Sequence, residues 1–115
     1  MPSLRDDPAR ARRLLAERRA EVGQMLEAVE EAAIVAEADP QRVGGTSRID
    51  ELQQREIASD AARRRRRELM RIDSALERIA TEEYGDCVAC GAPIPEARLE
   101  LDPAAVLCLE CAERA

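Results

Sequence analysis

The sequence CVACG occupies residues 87–91, and the sequence CLEC occupies residues 108–111. The two Cys-x-x-Cys pairs are separated by about 17 residues, a spacing typical of structural zinc sites in which each pair supplies two thiolates to one tetrahedral ion. Gly91 permits a left-handed backbone just after the second sulfur of the first pair. The pattern therefore predicts one Zn²⁺ bound by all the cysteines of the chain, Cys87, Cys90, Cys108 and Cys111.

The predicted metal site is structural. The chain has four cysteines and no histidine, so four sulfurs close the tetrahedron and leave no open position for a water or a substrate. We therefore expect a protein that is not an enzyme. Disulfides, a redox dithiol and simple burial are the alternatives. They are disfavoured because we expect no secretory segment and because a thioredoxin-like motif needs a strand-helix-strand frame.

Composition favours long helices over a thick globular core. The 115 residues include one tyrosine, no phenylalanine and no tryptophan, and 37% of them are charged. Such a chain cannot fill a core of ordinary thickness. The net charge of −6 argues against direct nucleic-acid binding through phosphate contacts. No apolar run approaches the length of a membrane span, so we expect a soluble, cytoplasmic protein with no membrane partner.

A first long helix is predicted from Asp7-Pro8 to Asp39-Pro40. Asp7 can cap the free amides of the first turn, and proline suits the first helical position. A narrow apolar stripe follows, with residues one heptad apart. These residues are Leu15, Val22, Val29 and Ala36.

A second long helix is predicted after a turn near residues 39–46. Thr46 and Ser47 open it, and Asp50 completes a start that resembles a capping box. No glycine or proline interrupts it before Glu83. Its apolar residues are spaced as in a coiled coil, with a weak middle at Arg65. They are Leu69, Ile72, Leu76 and Ile79.

The charges along the chain are grouped in blocks. Residues 1–20 carry excess arginine, residues 21–40 are acidic, residues 41–67 are basic and residues 68–84 are acidic again. Folding the chain back near residues 39–46 sets basic blocks against acidic ones, whereas a parallel arrangement opposes like charges. We predict a monomeric antiparallel coiled-coil hairpin over residues 1–84. An antiparallel dimer of extended chains would satisfy the same pattern.

A small four-cysteine zinc-finger module is predicted over residues 85–115, giving a mostly α fold. Tyr84 is interpreted as a packing plug before this module, with its hydroxyl at the surface. Residues 92–103 contain too few apolar side chains for a core of their own, so we expect them to depend on the metal. The run Arg63–Arg67 spreads around a helical turn, which favours solvated or internally paired arginines over a nucleic-acid patch.

Four stretches around the cysteines resemble the DksA/TraR family of bacterial transcription regulators. They are RIDSALERI at residues 71–79, YGDC at residues 84–87, CGAPIPEARL at residues 90–99 and PAAVLC at residues 103–108. The resemblance implies a cytosolic regulator that binds RNA polymerase directly, without DNA. It inserts its coiled-coil tip into the secondary channel, and family members often act with the alarmone ppGpp.

The resemblance also places individual residues. Arg64 and Arg71 fall at positions matching basic alarmone contacts of the family, which makes them candidate ppGpp ligands. Residues 47–49 stand where the better-known members carry an Asp-x-Ala tip element, so Ser47 and Asp50 are the candidate polymerase contacts. Helix capping is the alternative role of Asp50. A zinc-stapled adaptor for another protein and a DNA-binding zinc module are the alternative functions.

Overall fold

The computed structural model describes residues 2–38 and 48–114, and the chain there is mostly helical. A short 3-10 helix, Leu4–Asp6, precedes two long helices, α1 (Pro8–Ala38) and α2 (Arg48–Ala80). Two short helices follow, α3 (Glu96–Leu101) and α4 (Leu109–Arg114). Within the described ranges, extended backbone pairs as an isolated antiparallel bridge between Asp86 and Pro93. The predicted fold class, two long helices followed by a small cysteine module, is confirmed.

The chain divides into two compact units. The cysteine unit consists of Met1–Ala20 and Leu69–Ala115, and the helical unit consists of Glu21–Glu68. The first unit therefore joins one end of each long helix to the cysteine-bearing segment. The predicted division into a hairpin over residues 1–84 and a module over residues 85–115 concerns which parts fold independently, and it stays a prediction.

Local signals explain the ends of the helices. The backbone N–H of Arg10 donates to the Asp7 carboxylate over 3.1 Å, which is the expected cap of α1. At the end of α2, Glu82 adopts a positive φ of 63° and the N–H of Glu83 donates to the Arg78 carbonyl over 2.8 Å. This is the geometry of a Schellman stop. The predicted turn near 39–46, the start at Thr46-Ser47 and the side chain of Ala36 lie outside the described residues.

Most of the buried apolar side chains belong to the cysteine unit. Leu15 of α1 and Ile72 of α2 are almost completely inaccessible to solvent, and Ile79 is also buried. The small residues Ala11 and Ala75 are buried as well, which allows close approach of the two helices. Leu69 and Leu76 are half-buried. The predicted apolar faces of both helices are thus confirmed in this unit.

The helical unit buries much less. Among its described residues, Val22 and Ala62 are buried, whereas Leu26, Val29 and Arg65 are half-buried. The weak middle of the predicted seam therefore corresponds to a sparsely packed stretch of helix.

Ion pairs join α1 to α2 within the single chain. In the cysteine unit, Arg19 Nε lies 2.7 Å from the Asp73 carboxylate. In the helical unit, Arg66 Nη2 lies 2.9 Å from the Glu30 carboxylate. The partner number on α2 falls as the number on α1 rises, as antiparallel helices require. Each pair is exposed and contributes about 0.2–1 kcal/mol. The ion pairs therefore favour the antiparallel direction of the helices more than they add to the stability of the fold.

Tyr84 is a packing residue, but the expectation that its hydroxyl lies at the surface is wrong. The ring is buried, and the hydroxyl donates to the Pro103 carbonyl oxygen over 2.8 Å. The reason is that the chain folds back after α3 and brings the Pro103 carbonyl to the phenol, which offsets the cost of burying the hydroxyl. The bond ties the end of α2 to the segment before Cys108.

We expect Tyr84 to titrate far above an ordinary tyrosine. Burial raises the pKa of Tyr84 to about 12, and the carboxylates of Asp102 and Glu100 add to the shift. Because the folded state holds the proton more tightly than the unfolded chain, this stabilisation is present below the unfolded pKa of about 10. It is lost as the pH rises from about 10 to 12.

Ultraviolet titration measures this pKa directly, because the chain has one tyrosine and no tryptophan. Denatured protein serves as the control and should ionise near pH 10. Tyr84→Phe should remove the alkaline loss of stability and lower the free energy of unfolding at neutral pH by about 1 kcal/mol. A folded protein that ionises near pH 10 would contradict the buried hydroxyl.

Candidate metal centre

The four cysteine sulfurs converge on one point. The Sγ atoms of Cys87, Cys90, Cys108 and Cys111 all lie within 4.8 Å of one another. The sulfurs of Cys90 and Cys108 are 3.8 Å apart. A tetrahedron with metal–sulfur bonds of about 2.3 Å has edges of about 3.8 Å, so the arrangement fits a Zn²⁺ ion. The four cysteines are therefore candidate ligands of one structural zinc ion.

The first cysteine pair is shaped by a tight turn. The N–H of Gly91 donates to the Cys87 carbonyl over 2.9 Å, and the N–H of Cys87 donates to the Ala92 carbonyl over 2.8 Å. Gly91 has a φ of +76°, in the left-handed region. The expected role of this glycine is therefore confirmed, since a side chain at that φ would be strained.

The second pair reaches the same geometry without a glycine. Leu109 begins α4, and the N–H of Ala112 donates to the Cys108 carbonyl over 2.9 Å. Because one helical turn already brings residues three apart to the same face, no left-handed residue is needed after Cys111. A bond from the Val88 N–H to the Val106 carbonyl over 2.8 Å joins the two pairs.

Electrostatics at the site favour a bound cation. The pKa of Cys87 is lowered to about 6, chiefly because the backbone N–H of Cys108 donates to its sulfur and other backbone amides assist. The pKa of Cys111 is raised to about 12, because the sulfurs of Cys108, Cys90 and Cys87 crowd it. Four thiolates this close repel one another, and a divalent cation removes that repulsion.

An N-terminal segment, which was not among the predicted elements, packs against the cysteine-bearing part of the chain. The 3-10 helix Leu4–Asp6 packs against α3, and Leu4 is buried to 1% exposure. Gly85, with a φ of +92°, leaves room for Arg5, because a Cβ there would lie 2.8 Å from the arginine Cγ. Arg5 then pairs with Asp86, which directly precedes Cys87. A Ser-x-x-Asp capping pattern at Ser3 was the available sequence signal.

The candidate ppGpp ligands lie in different units. Arg71 belongs to the cysteine unit, and its Nη1 is 2.9 Å from the Asp102 carboxylate. Arg64 is exposed on α2 in the helical unit. The positive charge of Arg71 is therefore already offset within the protein.

The candidate tip residues are placed only in part. Asp50 is exposed in the first turn of α2, a position at which its carboxylate is favoured by the helix dipole. Ser47 lies outside the described residues. The contacts proposed for both residues stay predictions.

Internal pairing is confirmed for three members of the arginine run. Arg63 pairs with Asp60, Arg65 lies 3.4 Å from Glu68, and Arg66 lies 2.9 Å from Glu30.

Across residues 2–38 and 48–114, none of the helices has the length and apolar character needed to cross a membrane.

Comparison of the sequence with known families gives one match at the metal centre. Residues 82–115 match the model of the prokaryotic dksA/traR C4-type zinc finger. The RNA polymerase-binding transcription factor DksA of Escherichia coli K12 is 36% identical over 66 residues, which cover 55% of this chain and 44% of that protein. The protein of the same name from Caulobacter vibrioides is 43% identical over 51 residues, or 44% of this chain and 36% of that protein. The aligned region thus spans less than half the length of these relatives.

Solved structures are similar over a larger part of the chain. Transcription factor DksA2 from Pseudomonas aeruginosa superposes with a TM-score of 0.73 and 33% identity, covering 90% of this chain and 78% of that chain. The DnaK suppressor protein from Agrobacterium tumefaciens gives a TM-score of 0.61 and 30% identity, covering 93% and 92%. The similarity therefore includes the helices as well as the cysteine segment.

Proposed function

Because the chain belongs to the DksA/TraR family of C4-type zinc-finger proteins, we propose that it regulates transcription by binding RNA polymerase directly. In this proposal the hairpin end near residues 39–47 enters the secondary channel, and no DNA is contacted. The observation that carries the proposal is the combined match of zinc centre and long helices to transcription factor DksA2. The curated relatives named RNA polymerase-binding transcription factors support the same partner. Such a role places the protein in the cytoplasm as a regulator without catalytic activity.

Exposed apolar side chains near the end of the hairpin support a role in binding. Ile34 and Val35 near the end of α1, and Ile49 and Leu52 near the start of α2, are each more than half exposed. Exposed apolar residues grouped in this way favour a protein partner. The contact with polymerase would then depend on the apolar end of the hairpin more than on a single acid, with Asp50 acting mainly as a helix cap.

The family resemblance also implies ppGpp. Binding through Arg71 would compete with the Asp102 carboxylate, which lies 2.9 Å from the guanidinium. Regulation by ppGpp through Arg64 and Arg71, and the monomeric state, both stay predictions.

Competition for core RNA polymerase tests the proposed function. We expect the protein to displace a labelled secondary-channel binder, and we expect Asp50→Ala to compete as well as the wild type while melting slightly earlier. Leu52→Ser should weaken competition about 10-fold, because an apolar contact is lost at the interface. Met70→Ser, at another exposed apolar position but in the cysteine unit, is the matched control and should have no effect.

The other functions give different results in the same assay. If the wild-type protein does not compete at any concentration, the polymerase proposal is wrong and an adaptor role replaces it. Retention on DNA that weakens steeply with salt would instead favour a DNA-binding zinc module.

A further inference from the structure

Two arginines hold the peptide units that begin the two cysteine pairs. Arg78 Nη2 donates to the carbonyl oxygen of Asp86 over 2.6 Å, and Arg98 Nε donates to the carbonyl oxygen of Leu107 over 3.0 Å. Asp86 directly precedes Cys87, and Leu107 directly precedes Cys108. Both bonds are partly buried, so water competes for them less than it would at the surface.

Arg78 connects the last turn of α2 to the first pair. The same Nη2 atom also donates to the Glu83 carbonyl over 2.9 Å, and the arginine side chain is 17% exposed. The peptide between Asp86 and Cys87 is therefore held at both ends, because the Cys87 N–H donates to the Ala92 carbonyl over 2.8 Å. Because both ends of this peptide are bonded, its plane is restrained in the folded unit, which helps to hold Cys87 at the metal site.

Arg98 acts on the second pair through one peptide group. Its guanidinium binds the carbonyl oxygen of the Leu107–Cys108 peptide, and the N–H of that peptide donates to the Cys87 sulfur. A cation at the oxygen end polarises the peptide and strengthens its N–H as a donor. The chain of contacts thus runs from a positive charge on α3 to a thiolate ligand.

We propose that Arg78 and Arg98 are positioning residues of the zinc centre, which fix the first cysteine of each pair and offset the charge of the thiolates. A zinc ion with four thiolates carries a net double negative charge, which nearby cations stabilise. Neither arginine is a ligand. Both act through a backbone carbonyl, and together they link metal retention to α2 and α3.

Transfer of zinc from the folded protein to a chromogenic chelator tests the proposal. We expect Arg98→Gln and Arg78→Gln each to release zinc about 10-fold faster or more, the effect typical of losing an outer partner of a metal ligand. Arg19→Gln removes an exposed guanidinium that pairs with Asp73 in the same unit, and it should release zinc at the wild-type rate. Cobalt-substituted Arg98→Gln should also show a shifted thiolate-to-metal absorption band, because a weaker donor now faces the Cys87 sulfur.

Lysine variants separate positioning from general stability. Arg98→Lys keeps a positive donor within reach of the Leu107 carbonyl, so it should restore most of the zinc retention and the cobalt spectrum. If a glutamine variant loses helix content, the rate of zinc release is compared between the lysine variant and the wild type instead. The proposal is overturned if the glutamine variants release zinc like Arg19→Gln, or if the lysine and glutamine variants release zinc equally fast.

Discussion

Replacing Cys90 by serine should abolish stoichiometric zinc binding and unfold residues 85–114, while α1 and α2 remain largely helical. Structural zinc contributes about 10–16 kcal/mol of apparent binding free energy in small fingers, which is as large as the whole stability of many domains. The cysteine-rich segment contains two helices of 6 residues each. Helices this short do not persist without the packing that the metal organises.

Three measurements on one preparation check this expectation. Elemental analysis should find about one zinc per wild-type chain and well below one in Cys90→Ser. Hydrogen exchange should lose protection across residues 85–114, and circular dichroism should keep most of the helix signal. Val88→Ser, placed between the same two cysteines at a half-exposed side chain, is the control and should retain zinc.

Two outcomes would contradict the prediction in different ways. Protection that persists in Cys90→Ser without metal would show that packing alone maintains the segment. Loss of the whole helix signal would show that the long helices depend on the zinc centre, and the predicted boundary at residue 85 would then be wrong.

The cluster of four cysteine sulfurs and the long helices could be predicted because their signals are local. The spacing of Cys87 and Cys90 fixes a turn, and a glycine follows where a positive φ is required. Heptad spacing likewise identified the buried face of each long helix, which includes Leu15 on α1 and Ile72 on α2. The blocks of charge predicted that the two long helices pair antiparallel, because that direction places basic side chains next to acidic ones.

The buried core around residues 92–103 was not predicted from the sequence. Ile94 and Leu99 are buried to 3% and 0% exposure. The segment alone has too few apolar residues, but Leu4 adds a side chain from 95 residues earlier in the sequence than Leu99. A single leucine between polar residues has no periodicity, so sequence patterns could not identify such a distant contribution.

Leu4→Ala should therefore destabilise the cysteine unit far more than its place near the chain terminus suggests. Leu4 is 1% exposed, and its 3-10 helix packs against α3. Truncating a buried leucine to alanine costs about 2–5 kcal/mol, because transfer free energy is lost and a cavity remains. On the same segment, the side chains of Arg5 and Arg10 form ion pairs with Asp86 and Glu100. These ion pairs restrain the segment, so it cannot easily move to fill the cavity.

Leu101→Ala is the matched control, since it makes the same chemical change at 88% exposure in the same unit. Urea unfolding of the zinc-loaded proteins, followed by circular dichroism, should show a large loss of free energy for Leu4→Ala and less than about 0.5 kcal/mol for Leu101→Ala. Hydrogen exchange in α3 should rise in Leu4→Ala alone. Equal stabilities of the two variants would mean that the N-terminal segment does not contribute to the core, and that metal binding suffices to fold α3.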